Sequence, residues 1–296
     1  MFFHNIKFRM PELPEVEIIK RSLFRMINKE KIIDVKTSNK KLRYKLHSSF
    51  KKDLIGEKIL NISRRSKYII FYFKNKFLLI HLGMTGKFFI KRTIDNKLTK
   101  TSFYYNLNFI RKHNHVHFLL NNGLMLIYND VRRFGFMKLY KNSNLKKSQF
   151  IKKLGVEPLS NNLNNNYFRQ FTYTKQRNIK NMLMDQTFIS GLGNIYVNEI
   201  LFMTKIHPLT KCLNLKNSDI SKLIFTIKKI LNFSILKGGS SIKDFENISG
   251  KKGSFQQFFT VYNKENSNCS RISCTGKIKK IKISNRSSFY CEKCQN

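Results

Sequence analysis

Four cysteines near the C-terminal end of the chain have the spacing of a metal site. Cys269, Cys274, Cys291 and Cys294 are separated by four, sixteen and two residues. Two thiolate pairs on either side of a hairpin-length gap suit tetrahedral Zn²⁺, and so short a tail would gain its folding free energy from the metal. The alternative is a set of scattered buried thiols. Because zinc would occupy all four thiolates, we expect one structural Zn²⁺ and no catalytic metal.

A second group of reactive residues lies at 10–17, in the sequence MPELPEVE. It holds Glu12, Glu15 and Glu17, which are three of the 17 acidic residues of the chain. Pro11 and Pro14 are typical of a helix start, with Pro11 at the first helical position, and acids in a first turn are favoured by the helix dipole. Met-Pro-Glu also looks like a protein start, although it stands nine residues inside this chain.

The composition predicts a polyanionic partner. The 296 residues include 57 Lys and Arg, which gives a formal net charge of +40. Nucleic acid is the leading candidate, although drift toward the Lys, Asn, Ile and Phe of A/T-rich codons is a second source of the excess. No apolar run is long enough to span a membrane, and the leading MFFHNIKFR is too short for a secretory signal. We expect a cytoplasmic protein without disulfides.

The elements that must position these groups follow from apolar spacing. A helix is predicted over 11–30. Residues 31–140 contain short runs rich in Ile, Phe and Tyr that predict an antiparallel sandwich, with Asn122-Gly123 as one hairpin turn. Helical spacing returns over 191–205 and 218–236.

The chain resembles the bacterial formamidopyrimidine-DNA glycosylase family. The resemblance rests on ordered motifs that cover all but the first nine residues: PELPEVE at 11–17, RRSKY at 64–68, HLGMTG at 81–86, DVRRFG at 130–135, LGVEPL at 154–159, GLGNIY at 191–196, GGSSIKDF at 238–245 and NRSSFYCEKC at 285–294. Each motif is weak alone, but the ordered set is specific. Two positions depart from the family pattern, namely the four-residue gap after Cys269 and Val131 in place of proline.

The resemblance implies an α+β multidomain fold. Its parts are an N-terminal helix plus antiparallel β-sandwich, a helical domain with a helix–two-turn–helix motif, and a C-terminal zinc-finger hairpin. The polar stretch before the helical domain is interpreted as a linker with one helical segment. The predicted bounds are an extension over 1–9, a catalytic β-sandwich domain over 10–141, a linker over 142–166, a helical domain over 167–258 and a zinc finger over 259–296.

The implied function is that of a bifunctional DNA glycosylase and AP lyase of base excision repair. It would act as a monomer on damaged double-stranded DNA and remove oxidised purines, 8-oxoguanine and formamidopyrimidines. One rival is an endonuclease VIII-like glycosylase for oxidised pyrimidines, but PELPE and HLGMTG favour the purine enzyme. The other is a non-catalytic nucleic-acid-binding relative in which the N-terminal extension blocks catalysis.

By resemblance, Pro11 is the nucleophile. A proline at the N-terminus is a secondary amine, and α-amines titrate below lysine, so part of it is unprotonated near neutral pH. An internal proline is an amide and has no nucleophilic nitrogen. We therefore expect translation to start at Met10, with removal of that methionine. Proteolytic removal of the extension and an inactive protein are the alternatives.

The resemblance assigns the remaining site residues. Glu12 is the general acid/base and Glu15 its supporting carboxylate. Lys67 is the catalytic lysine that could donate a proton in β-elimination, and Arg286 binds phosphates for the second elimination. Once the lesion turns outward, the gap is filled by Met84, Arg132 and Phe134, with Arg132 facing the estranged base. The predicted DNA-backbone contacts are His113, Lys175 and Asn194.

Overall fold

The chain folds into two compact units. The computed structural model describes residues 10–94, 98–99, 111–141, 144–239 and 255–295. One unit comprises Met1–Lys152 with Lys237–Ser254, and the other comprises Lys153–Leu236 with Phe255–Asn296. The predicted domain bounds stay predictions. The predicted extension over 1–9 and the strand-like run at 103–110 lie outside the described residues.

Helix α1 spans Leu13–Ile27 and opens the first unit. Glu12 is its N-cap, so Pro11 precedes the helix and the prediction that it occupies the first helical position is wrong. The helix starts later because a capping box fixes its beginning. Glu15 Oε2 accepts the backbone N–H of Glu12 at 2.9 Å, and the Glu12 side chain caps the Glu15 backbone in return.

The predicted antiparallel sandwich is confirmed as two sheets in the first unit. The strands are β1 Ile32–Thr37, β2 Asn61–Arg65, β3 Tyr68–Tyr72, β4 Phe77–His81, β5 Gly86–Arg92, β6 Leu98–Thr99, β7 Asn114–Leu120, β8 Leu124–Asp130 and β9 Phe136–Tyr140. The larger sheet has the order β1-β7-β8-β5-β6 and the smaller one β2-β3-β4-β9. Phe71 of the smaller sheet stacks on Phe88 of the larger one, with ring centroids 6.4 Å apart.

Three connections between these strands carry predicted site residues. Ser66 and Lys67 form the two-residue turn between β2 and β3, and Ser66 has a φ of +54°. The β4–β5 loop carries Met84, and the β8–β9 loop carries Arg132 and Phe134. The β7–β8 hairpin turns at Asn122-Gly123 as predicted, with Gly123 at a φ of +75° that favours glycine.

The second unit is helical and ends in a two-stranded hairpin. The predicted helices over 191–205 and 218–236 are confirmed, but the first begins three residues later because Gly193 is its N-cap. The hairpin joins β10 to β11. The remaining elements, including two short helices of the first unit, are α2 Phe50–Leu54, α3 Gln149–Lys152, α4 Asn165–Thr172, α5 Ile179–Met184, α6 Asn194–Thr204, α7 Asn217–Leu236, β10 Ile278–Ile283 and β11 Arg286–Cys291.

The core of the second unit surrounds α6, whose residues are buried on nearly every side. Apolar residues of α5 and α7 pack with it into one cluster, which also includes Cys212, the predicted small core residue. In the part of the chain that the structure describes, no helix combines the length and apolar character needed to cross a bilayer.

Candidate active site

The first unit contains a cavity of about 650 Å³. Three loops and the residue before Pro11 contribute to its wall. Among the described residues that line it, four are Lys or Arg and none is acidic. A cavity with this charge attracts an anion. The lining residues are Met10, Lys41, Leu42, Arg43, His81, Gly83, Met84, Arg132, Arg133 and Phe134.

The start of α1 brings two buried carboxyl groups next to Pro11. Pro11 is itself buried, whereas Met10 is 40% exposed and lines the cavity. Glu12 and Glu15 are 4% and 3% exposed. Carboxyl groups are seldom buried this deeply in proteins, and such burial is common where they transfer protons. The structure thus brings together the predicted nucleophile and both predicted carboxylates.

Gly239 lies against these carboxylates within the same unit. A Cβ atom at this position would lie 3.2 Å from Glu15 Oε1 and 3.2 Å from Ile18 Cδ1. Its φ of +81° is also one that residues with side chains rarely adopt. Glycine therefore allows the backbone at position 239 to approach these carboxylates closely.

Glu17 links α1 to the turn that carries Lys67. Its carboxylate pairs with Arg64 Nε at 2.9 Å, and also with Lys20 and Arg21. Burial works to raise the pKa of Glu17, but the hydrogen bonds from Arg21 and Lys20 and the charge of Arg64 lower it overall. Arg64 Nη1 also donates to the carbonyl of Ser66 at 2.8 Å, which fixes the turn immediately before Lys67.

His81 is a cavity residue that the sequence analysis did not select. Its ring packs between Tyr68 and Phe136, at centroid distances of 5.1 and 5.5 Å. Burial, followed by the charges of Lys67 and Arg43, lowers the pKa of His81 to about 4. Nδ1 accepts the Gly83 N–H at 3.1 Å, so the neutral ring carries its proton on Nε2. Its position at the start of HLGMTG, where β4 ends, was the available clue.

Asp130 joins the two loops that carry the predicted inserted residues. It is fully buried, and one carboxylate oxygen accepts the Gly135 N–H at 2.8 Å. The other accepts the hydroxyl of Thr85, whose oxygen in turn accepts the Arg132 N–H at 3.0 Å. Asp130 therefore connects the β8–β9 loop to Thr85 of the β4–β5 loop through buried hydrogen bonds.

Arg132 and Phe134 contact each other at the cavity. The guanidinium carbon of Arg132 lies 4.5 Å from the centroid of the Phe134 ring, within cation–π distance. Phe134 is 44% exposed, which is unusual for a large aromatic side chain and leaves it accessible to a partner. Met84 lines the same cavity, so the three predicted inserted residues are close together.

His113 ends a 3₁₀ turn just before β7 and is partly buried. Burial and the charges of Lys112 and Lys40 lower its pKa. Its cationic neighbours place it in an electropositive part of the first unit. This surrounding favours contact with an anion.

In the second unit, Asn194 contacts Ser287, the residue that follows Arg286. Arg286 is the exposed first residue of β11 and follows the Ser284-Asn285 turn. Asn194, the first residue of α6, donates its side-chain amide to the carbonyl of Ser287 at 3.0 Å. Lys175 lies elsewhere, in an exposed turn after α4 whose backbone pairs with Leu213.

The four cysteines of the tail form a cluster that could hold a metal ion. Their Sγ atoms all lie within 4.8 Å of one another. Cys269–Cys294 and Cys274–Cys291 are separated by 3.8 and 3.7 Å, and Cys274–Cys294 by 3.1 Å. Zn–S bonds of about 2.3 Å in a tetrahedron require sulfur atoms about 3.8 Å apart, a separation that the first two pairs match and the third would reach by a small outward shift of the thiols. The longer first gap is absorbed by a turn at Ser273, whose φ is +62°.

Comparison with known proteins defines the class. A sequence model of the formamidopyrimidine-DNA glycosylase N-terminal domain matches residues 10–137, and one of the H2TH domain of the same enzymes matches residues 154–246. These two domains together define a DNA-repair glycosylase with a helix–two-turn–helix domain. The chain belongs to the formamidopyrimidine-DNA glycosylase family.

Individual relatives match over nearly the whole chain. The formamidopyrimidine-DNA glycosylase of Rickettsia felis is 42% identical over 97% of this chain and 98% of its own length. That of Bartonella tribocorum is 37% identical over 97% and 100%. A Lactococcus lactis Fpg mutant in complex with Fapy-dG containing DNA has a TM-score of 0.83 and 35% identity, covering 97% of this chain and 100% of that chain. The Lactococcus lactis complex with abasic-site DNA has a TM-score of 0.82 and 35% identity, covering 96% and 99%.

Proposed function

We propose that this chain, when Pro11 is its first residue, excises oxidised purines from duplex DNA and then cleaves the abasic strand. The observation that carries the proposal is the cavity of the first unit, which adjoins Pro11 through Met10. Its cationic wall suits DNA, and it includes Met84, Arg132 and Phe134. The match to the N-terminal family domain begins at Met10, which supports a mature chain that starts at Pro11.

In the first step, the unprotonated Pro11 nitrogen attacks C1′ of the damaged nucleotide. The N–C1′ bond forms as the glycosidic bond breaks, and the electron pair of the glycosidic bond leaves with the base. The Pro11 nitrogen then gives its N–H proton to the departing base, which restores the nitrogen lone pair. Glu12 transfers a proton to the sugar ring oxygen. The ring then opens, and the nitrogen lone pair forms an iminium ion with C1′. Glu15, which holds the Glu12 backbone at 2.9 Å, keeps this carboxyl next to the nucleophile.

In the second step, the iminium drives strand cleavage. A secondary amine gives an iminium without an N–H, so it stays cationic and makes the C2′ proton acidic. Loss of this proton expels the 3′ phosphate, because the electron pair moves into C2′–C3′ and the C3′–O bond breaks. Lys67 donates a proton to the departing 3′ phosphate. A second elimination breaks the C5′–O bond, with Arg286 binding the departing phosphate.

The inserted residues hold the duplex open. Met84 and Phe134 fill the space that the outturned nucleotide leaves, and Arg132 hydrogen-bonds the estranged base, typically cytosine. The contact between Arg132 and Phe134 supports their insertion as one unit. DNA-backbone contacts are proposed for His113, Lys175 and Asn194.

The metal proposed for the cysteine cluster is one structural Zn²⁺. Cys269, Cys274, Cys291 and Cys294 would hold it, and the sulfur separations support this choice. With four protein ligands it offers no open position for substrate. Its contribution is to order the hairpin that carries Arg286. We further propose that the protein acts on DNA as a monomer.

Borohydride trapping tests the nucleophile. A chain expressed from Met10 and a chain that keeps residues 1–9 are incubated with a duplex containing 8-oxoguanine opposite cytosine. We expect a covalent adduct, mapped by mass spectrometry to Pro11, with the first chain only. An adduct on the longer chain, confirmed by intact mass to be unprocessed, would overturn the proposal.

A second duplex tests the lesion class. This duplex carries an oxidised pyrimidine in the same sequence context. The chain that begins at Pro11 should excise the oxidised pyrimidine far more slowly than it excises 8-oxoguanine. Faster excision of the pyrimidine would favour the endonuclease VIII-like alternative. Tight duplex binding without any adduct in either case would favour a non-catalytic binding protein.

A further inference from the structure

Lys180 is a buried lysine in the second unit that the proposed mechanism does not use. It lies in α5 and is 1% exposed. Its Nζ donates to Ser288 Oγ at 2.5 Å and to the carbonyl of Ser287 at 3.1 Å. Removing an ammonium group from water is costly even when it is hydrogen-bonded. An apolar side chain at this position would avoid that desolvation cost. We therefore look for the role of the ammonium group in the hydrogen bonds that it makes to Ser287 and Ser288.

The groups that Lys180 holds lie next to Arg286. Ser287 and Ser288 follow Arg286 directly in β11. The same Ser287 carbonyl accepts the Asn194 amide at 3.0 Å, so donors from α5 and α6 converge on one oxygen. Further along the strand, the Phe289 N–H donates to Asn198 Oδ1 at 2.7 Å. The start of β11 is therefore joined to α5 and α6 by side-chain hydrogen bonds.

The cysteine cluster lies at the opposite end of the hairpin. Arg286 pairs with Ile283 beside the turn, whereas Cys291 pairs with Ile278 at the metal end. Cys291 is five steps along the strand from Arg286, which is about 17 Å at about 3.3 Å per step. A pivot of about 5° at the metal end would move the turn end by about 1.5 Å over that length. Displacements of this size are enough to impair catalysis.

We propose that Lys180 is a positioning residue for Arg286. Its ammonium group, together with Asn194, fixes the turn end of the hairpin that the metal cannot fix. The inference rests on the proposed role of Arg286 in the second elimination. It predicts that loss of the ammonium impairs that step selectively and leaves imine formation at Pro11 intact.

The test uses Lys180→Met, which keeps an unbranched side chain only one atom shorter and removes the charge. Replacing a buried charge with an apolar group of similar volume is often tolerated. Substrate is a duplex with a preformed abasic site, and the β- and δ-elimination products are separated on a sequencing gel. We expect borohydride trapping and β-elimination to change less than twofold, and the ratio of δ- to β-product to fall at least tenfold.

A double-mutant cycle separates positioning from a general loss of structure. Arg286→Ala alone should lower the δ/β ratio, and adding Lys180→Met to it should lower the ratio no further. Lys280→Met is the matched control, because Lys280 is an exposed lysine of the same hairpin that pairs with Glu265 at 2.8 Å. It should leave the ratio unchanged, and zinc content should remain one per chain in every variant.

The outcomes distinguish the two proposals. If Arg286→Ala leaves the δ/β ratio unchanged, the proposed function of Arg286 is wrong and the inference falls with it. If Arg286→Ala lowers the ratio but Lys180→Met does not, only the role of Lys180 is overturned. Should Lys180→Met unfold the chain, Ser288→Ala removes one of its acceptors with little change in volume. This milder variant must then lower the ratio at least threefold, and an unchanged ratio counts against the inference.

Discussion

The two units fix their functional arginines with buried groups of opposite charge. In the first unit, the Asp130 carboxylate accepts hydrogen bonds from Gly135 and Thr85 and so shapes the loop that carries Arg132. In the second, the Lys180 ammonium donates to the strand that follows Arg286. In both units, a buried charged side chain hydrogen-bonds the segment that carries the arginine proposed to contact DNA.

The difference lies in what else supports each arginine. The Arg132 loop connects β8 to β9, strands of two different sheets, so the protein core limits its movement. The Arg286 hairpin has only two strands, and such a hairpin is at best marginally stable by itself. It needs the cysteine cluster at one end and polar side chains from the helices at the other. Loss of the metal should therefore affect the two regions very differently.

The largest expected effect is that of Cys294→Ser. Structural zinc contributes on the order of 10 kcal/mol to folding of small zinc domains, so this change should release the hairpin while the sandwich stays folded. Hydrogen exchange should show amides of β10 and β11 exchanging freely, with protection of β7 and β8 unchanged. Cys212→Ala is the matched control, since Cys212 is a buried cysteine outside the cluster. Equal loss of hairpin protection in that control would refute zinc binding as the cause.

Asp130→Asn should have a smaller effect, and in the first unit only. The amide keeps one acceptor but turns an N–H₂ group toward the donors of Gly135 or Thr85. Hydrogen bonds to a charged group contribute roughly 1.5 to 3 kcal/mol each, and this change weakens two of them. Urea unfolding followed by circular dichroism measures the loss, and hydrogen exchange should show the hairpin still protected. Asp34→Asn, in partly exposed β1 of the same unit, should change stability by less than about 1 kcal/mol. If both variants lose a similar free energy of unfolding, the hydrogen bonds of Asp130 do not stabilise the first unit more than an ordinary surface carboxylate does.

These two buried charges also mark the limit of prediction from sequence. Apolar spacing predicted the sandwich, both long helices of the second unit and the Asn122-Gly123 turn, because each depends on local periodicity or turn chemistry. The cysteine spacing likewise predicted a cluster that could hold a metal. Lys180 was missed because one lysine among 57 Lys and Arg residues has no local feature that reveals its burial. Its partners lie more than 100 positions away.

The position of Pro11 was misjudged for a related reason. Two prolines three residues apart both suit a helix start, and only the capping box between Glu12 and Glu15 decides where the helix begins. His81 was overlooked because the environment that lowers its pKa comes from three separate segments. Distant residues brought together by folding, rather than any local pattern, set the chemistry of these groups.

His81 offers the smallest effect and tests the electrostatics of the first unit. Its pKa of about 4 in the folded chain, set by burial and by the charges of Lys67 and Arg43, lies below its ordinary value of 6.5. Between pH 6.5 and about 4 the unfolded chain therefore binds a proton that the folded chain does not, so stability falls as the pH is lowered through this window. The full shift in pKa corresponds to roughly 3 kcal/mol of stability. His81→Gln should remove that part of the acid sensitivity, measured as the urea midpoint at pH 7 and pH 4, whereas His47→Gln, at an exposed histidine of the same unit, should keep it. A His81→Gln chain that loses as much stability on acidification as the parent would show that the cations around the cavity do not hold this ring neutral.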